Sequence, residues 1–145
     1  MISPKEVINE LLVDVFNQIL SIESEVLKQR GVKLSMTEVH VLEAMKNTED
    51  PTMGNIANKL RITMGTLTTA INVLVKKNFV DRHRGEHDRR KVYIALKDSA
   101  KDVMAIHDEF HEEMVCSLLE DLNIEKDEVL LKSLENINNY FKERY

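Results

Sequence analysis

Between Thr52 and Leu96 the hydrophobic period changes from that of a helix to that of a strand, and this change limits the fold more than any other feature. Thr52 is placed to cap a short helix through Leu60, with Ile56, Ala57 and Leu60 on one side. Thr63 is placed to cap another, whose Leu67, Ile71 and Leu74 recur at i, i+4 and i+7 until Asn78 offers a left-handed stop. From Phe79 to Arg84, and again from Lys91 to Leu96, the pattern turns strand-like, with Val92, Tyr93 and Ile94 supplying β-propensity. Gly85 to Arg90 between them is a polar hairpin tip with glycine as its hinge. Two short helices joined by a tight turn form a helix-turn-helix, although an ordinary αα-hairpin would read much the same. The basic hairpin behind them makes the arrangement a winged helix.

Long helices flank this lobe. Ser3 and Glu6 form a capping box with Pro4 at the first helical position. Val7, Leu11, Val15, Ile19, Ile22 and Val26 then recur at helical spacing to about Arg30, ahead of Gly31. A second capping box, Ser35 with Glu38, opens a helix carrying Met36, Val39, Leu42 and Met45, and Pro51 closes the loop behind it. A helix is expected from near Asp98 to about Leu122, and a last one capped by Asn123 with Val129, Leu130, Leu134, Ile137 and Phe141 as its stripe. The expected fold is mainly α, one intertwined domain in three parts. Residues 1–34 form an N-terminal dimerisation helix, 35–97 the winged helix-turn-helix lobe, and 98–145 the C-terminal dimerisation helices. The apolar stripes of the first and last helices are too extensive for one small subunit to cover, so a homodimer is expected.

The chain has 145 residues and a net charge of −5, which as an average argues against a nucleic-acid partner. The charge is unevenly spread, however: Lys59 to Lys91 carries +6 and the remainder −11. That split describes one basic surface on an acidic body, although a solvated charged face is the plain alternative. Four glycines, two prolines and one cysteine exclude collagen-like, disulfide-scaffold and disordered classes. No apolar run approaches the roughly 18 residues of a membrane helix, so no membrane partner and a cytoplasmic location are expected.

If Leu67, Ile71 and Leu74 face the core, helical geometry turns Gly65, Thr68, Thr69 and Asn72 outward, with Thr63 and Thr66 at the start of the same helix. Small hydroxyl and amide side chains there suit phosphates and base edges of the major groove, and the helix N-terminus suits a phosphate. Arg84, Arg89, Arg90 and Lys91 lie on the hairpin, where a wing reaches an adjacent minor groove whose negative potential attracts arginine. Asp88 is expected to pair with a neighbouring arginine and hold the tip in shape. The expected partner is therefore double-stranded operator DNA.

The stretches Asn55-Ile56-Ala57-Asn58-Lys59-Leu60, Thr66-Leu67-Thr68, Leu74 through Arg82 and Asp88-Arg89-Arg90-Lys91-Val92 resemble the MarR family of bacterial transcriptional regulators. One departure is Asn78, where the family usually has glycine, and asparagine also tolerates the left-handed turn. Within the family, Thr63 to Thr69, Thr37-Glu38-Val39-His40 and His107-Asp108-Glu109-Phe110-His111 are most similar to the fatty-acid-synthesis repressors. The resemblance implies a homodimer on a palindromic operator, with acyl-acyl carrier protein or a fatty-acyl effector as co-repressor. The acyl chain would enter an apolar pocket between the dimerisation and DNA-binding regions, and Phe16, Met36, His40, Met45 and Phe110 are candidates for its lining.

His107 and His111 are one helical turn apart, a spacing that suits two zinc ligands, and His40 with Glu23 or Glu25 could complete a tetrahedral set. Zinc-sensing members of the family place histidines similarly, so a zinc-responsive regulator is the alternative reading. A polar pocket wall or a purely structural role serves the same histidines. The His107 to His111 stretch also approaches a zinc-hydrolase motif, but Asp108 stands where the glutamate that activates water would be. No catalytic residues and no enzyme activity are expected. Cys116, among Met114, Val115, Leu118 and Leu119, is expected to be a buried, inert thiol.

Overall fold

A computed structural model describes all residues, 1–145. The chain divides into a unit of residues Met1–His107 and a unit of Asp108–Tyr145. Both consist mainly of helices, which confirms the expected fold class.

In the first unit, α1 (Pro4–Asn9) starts with the expected capping box: Ser3 accepts from the Glu6 amide while Glu6 accepts from the Ser3 amide. A π-helical stretch, Glu10–Val15, leads into α2 (Phe16–Gln29). The π turn was not foreseen, yet it explains the spacing of Val7, Leu11, Val15 and Ile19. A strict i+4 series drifts around an α-helix, and a stretch of wider turns cancels that drift. Only Glu23 and Leu27 of this long run are buried. Val7, Leu11, Val15 and Ile22 stay exposed, as do Ile8, Leu12, Val13 and Phe16.

Capping is local, and it sets the starts of the next three helices as expected. Ser35 and Glu38 box the start of α3 (Met36–Lys46). Thr52 accepts from the Asn55 amide at the start of α4 (Met53–Leu60), and Thr63 from the Thr66 amide at the start of α5 (Met64–Lys76). Three helices end alike, in Schellman turns around a left-handed residue: Gly31 at φ 82, Arg61 at φ 54 and Asn78 at φ 68. In each, two amides bond back into the last turn. At Asn78 these bonds are Phe79 N to Leu74 O, 2.9 Å, and Asn78 N to Val75 O, 3.0 Å.

Strand β1 (Val80–Arg84) pairs antiparallel with β2 (Val92–Leu96), from Val80 opposite Leu96 to Arg84 opposite Val92. A single bridge from Thr52 to Tyr93, with the Ile94 amide bonded to Pro51 O at 3.0 Å, latches the start of α4 onto the hairpin. The core gathers Leu27, Leu42, Ile56, Leu67, Ile71, Leu74, Val80 and Ile94, each at most 2% exposed. Burying side chains of this size is worth about 1.5–3 kcal/mol apiece. Helix α3 is covered on most sides: Val39, Val41, Leu42, Ala44 and Met45 are all buried. Gly85 does not act as a hinge. Its φ is unexceptional, and a Cβ there would sit 2.6 Å from the Asp88 carbonyl oxygen, so glycine is needed for close approach.

Helix α6 (Asp98–Leu122) begins in the first unit and continues into the second. The second unit also holds a 3-10 turn, Ile124–Lys126, and α7 (Glu128–Arg144). Two expectations are corrected here. Asn123 does not cap the last helix; it takes a left-handed conformation, and Asp127 caps α7 by accepting from the Leu130 amide at 2.9 Å. Cys116 is exposed, not buried, because its own unit leaves this stretch of α6 uncovered. Its thiol lies 3.5 Å from a Glu112 carboxylate oxygen, and that hydrogen bond, with some desolvation, raises its pKa. No helix is long and apolar enough to cross a membrane.

Candidate nucleic-acid interface

With Leu67, Ala70, Ile71 and Leu74 buried, α5 turns Gly65, Thr68, Thr69 and Asn72 to solvent. Thr63 and Thr66 stand at its start, their hydroxyls 2.9 Å apart. Both outward threonines spend their hydroxyl protons on the helix. Thr68 donates to Met64 O at 2.7 Å and Thr69 to Gly65 O at 3.1 Å. Each then offers an oxygen acceptor and a methyl group, which suit the amino groups of cytosine or adenine and the methyl of thymine. A Cβ on Gly65 would meet only the Thr63 hydroxyl, at 3.9 Å, so the backbone here lies open to a close neighbour.

The hairpin tip is braced from within. Asp88 accepts from the Arg90 amide at 3.0 Å and takes a two-pronged contact from its guanidinium, Nε at 3.1 Å and Nη2 at 3.2 Å. These bonds hold the Asp88 carboxyl below the usual aspartate value. Arg84 Nη1 donates to Arg89 O at 3.0 Å, and the Gly85 amide to Lys91 O at 2.9 Å. Arg89, Arg90 and Lys91 remain exposed. Between α4, α5 and the hairpin runs a groove of about 480 Å³, lined in part by Asn55, Met64, Thr68, Arg82, Arg90 and Lys91. The Thr68 acceptor on the helix and the cationic donors of the hairpin thus open onto a single concave surface, which the basic charge of Lys59 to Lys91 makes attractive to a polyanion.

Arg82 was missed as a site residue. Strand alternation puts it on the same side of β1 as Val80 and Arg84, which could have signalled it, and its Nη1 donates to Asn72 Oδ1 at 2.6 Å. The left-handed turn at Arg61, which ends α4 ahead of the recognition helix, was not foreseen either, because a left-handed arginine carries no sequence mark.

The histidine cluster is only partly as expected. His107 is buried, with Nε2 2.9 Å from Glu23 Oε1 and 3.8 Å from Glu43 Oε2. Glu43 was not anticipated, since it lies on α3 far from either partner in sequence. Glu25 points elsewhere, is exposed and accepts from Gln29. His40 is half-buried on α3. His111 belongs to the second unit, half-buried and edge-on to Phe110 with ring centroids 5.4 Å apart. Of the pocket candidates, Met45 is buried in the core, Met36 and Phe110 are half-buried, and Phe16 is 56% exposed.

A capped helix pair, an outward polar face on the second helix and a braced basic hairpin beside it define a winged helix-turn-helix transcriptional regulator. The SarA/Rot family of transcriptional regulators matches residues 22–106, and the chain belongs to that family. It is 30% identical to the HTH-type transcriptional regulator SarZ of Staphylococcus haemolyticus over 115 residues, covering 74% of this chain and 73% of that protein. Among solved structures, Streptococcus pneumoniae FabT in complex with DNA is 30% identical with a TM-score of 0.88, covering 97% of this chain and 99% of that one. Staphylococcus aureus MarR in complex with salicylate and kanamycin shares the fold at 12% identity, with a TM-score of 0.79, covering 97% and 93%.

Proposed function

We propose that this regulator is a repressor that binds a palindromic operator as a homodimer, with α5 in the major groove and the hairpin in the flanking minor groove. The observation that carries the reading is the shared groove between the outward face of α5 and the arginines of the hairpin. Contacts are assigned to Thr63, Gly65, Thr66, Thr68, Thr69 and Asn72 on the helix and to Arg84, Arg89, Arg90 and Lys91 on the wing. The exposed apolar residues of α1, the π turn and α2 in one unit, and Leu118, Leu122, Leu131 and Leu134 in the other, support a second copy as their cover. Two-fold symmetry would put the recognition helices about 34 Å apart, one turn of DNA.

Likeness along nearly the whole chain to FabT in complex with DNA supports operator binding, and the resemblance of Thr63 to Thr69 and His107 to His111 to fatty-acid-synthesis repressors is the ground for proposing fatty-acid genes as targets and an acyl-acyl carrier protein as effector. A cavity of about 500 Å³ in the first unit supports an effector site. Its lining combines the apolar Val32, Phe79, Val103 and Ile106 with the basic Arg30 and Lys77. Lys77 and Phe79 flank the left-handed Asn78, where recognition helix meets wing, so an occupant would bear on the DNA-reading face. Its leverage is limited to its difference in affinity between lobe spacings that fit and misfit the operator.

The test is fluorescence anisotropy on DNA from upstream of fatty-acid-synthesis genes, with long-chain acyl-acyl carrier protein titrated with and without a chelator. The acylated carrier is expected to change DNA affinity while the unacylated carrier does not. Equal behaviour of the two carriers would remove the fatty-acid reading, and a response lost on chelation would favour the zinc-responsive one. Light scattering that gives a monomer at micromolar concentration would sink the homodimer.

A further inference from the structure

The contact between Arg82 and Asn72 decides what Asn72 can read, an inference that rests on the DNA-binding function proposed above. Asn72 is one turn beyond Thr68 and Thr69 on the outward face of α5. Its side-chain amide has a carbonyl end that accepts and an NH2 end that donates. In solution such an amide can turn over, and a reader with both ends available pairs with adenine through N6 and N7 together. Here the carbonyl end is held towards the hairpin, since Arg82 Nη1 donates to Asn72 Oδ1 at 2.6 Å, and the NH2 end is turned away from the guanidinium. A guanidinium has donors only, so it accepts no other orientation of the amide. The backbone that carries Arg82 is held in place: it stands opposite Ile94 in the hairpin register, and Ile94 is 2% exposed. The charge-assisted bond therefore runs from a fixed strand to the recognition helix and is stronger than a neutral pair.

We propose that Arg82 is a positioning and specificity-determining residue, which locks the Asn72 amide so that the recognition helix presents Nδ2–H donors alone at this point. Donors alone match the acceptor edges of the major groove, above all O6 and N7 of guanine, and forgo the two-ended pairing with adenine. The same bond ties the wing to the recognition helix. Asn72, common as an adenine reader by residue type, is converted into a guanine reader by its neighbour.

The test selects from a random double-stranded DNA library with the full chain as wild type, Asn72→Ala, Arg82→Met and the double variant. Methionine keeps an apolar stem without the donors, and circular dichroism with thermal melting confirms that each variant folds. Wild type is expected to prefer guanine over adenine at one base pair per half-site by about tenfold, a preference lost in Asn72→Ala. Arg82→Met should move that same position towards adenine while leaving preferences at other positions in place. The double variant should match Asn72→Ala there. A uniform loss of affinity in Arg82→Met with an unchanged sequence logo would overturn the proposal, and so would an Asn72→Ala logo identical to wild type. A wild type that enriches no sequence at all would instead overturn the DNA-binding reading itself.

Discussion

Replacement of Arg90 by alanine separates the two jobs that this side chain performs. It braces Asp88 within the tip, and it stands exposed where a flanking phosphate backbone would pass. The side chain is 92% exposed, so its ion pair contributes little to stability, and the melting temperature should barely move. The electrostatic effect on DNA is larger. Each phosphate contact adds about 0.9 to the slope of log affinity against log salt, so loss of one contact per protomer in a dimer should reduce the slope by about 1.8. Between about 50 and 200 mM salt that difference amounts to roughly a tenfold change in the ratio of wild-type to variant affinity. Anisotropy on a labelled operator fragment at several salt concentrations measures it directly. The variant should bind more weakly at low salt and converge on wild type as salt rises. Parallel lines would refute the assignment, because a purely structural role for Arg90 lowers affinity by a factor that salt leaves alone. Asp88→Asn supplies the control: it loosens the tip but keeps the arginine, so it should weaken binding without reducing the slope.

Gly85→Ala would force a Cβ against the Asp88 carbonyl oxygen, at 2.6 Å before relaxation. Overpacking of this kind costs about 1–3 kcal/mol, confined here to the hairpin tip. Amide exchange at Lys91, whose amide bonds to Asp88 O, should accelerate, and unchanged protection there would show that the tip does not need the glycine. Ile71→Ala removes a fully buried side chain from the inner face of α5 and should lower unfolding stability by about 2–5 kcal/mol in a urea titration. A loss below about 1 kcal/mol would mean that α5 is not anchored as described.

Helix starts were legible because a cap involves residues within four positions of one another. Ser3 with Glu6, Ser35 with Glu38, Thr52 and Thr63 all behave as their neighbours in sequence require. Asn78 was also readable, since asparagine tolerates the left-handed turn. Arg61 takes the same turn with no such tolerance, and Asn123 takes it in place of capping a helix. The outward face of α5 followed from its inward one. In contrast, apolar periodicity marked Val7 to Val26 and passed over Leu27, yet packing puts Leu27 in the core and leaves much of the stripe exposed.

By itself, then, the sequence determined the order of helices and strands, the basic lobe and the residues available for DNA. Tertiary structure decided which of them act together. Arg82 meets Asn72 across ten residues, and His107 meets Glu23 and Glu43 from three different helices. The physical reason is range. Capping, period and turn chemistry are settled by near neighbours along the chain, whereas a contact between two elements depends on the direction in which each has been packed.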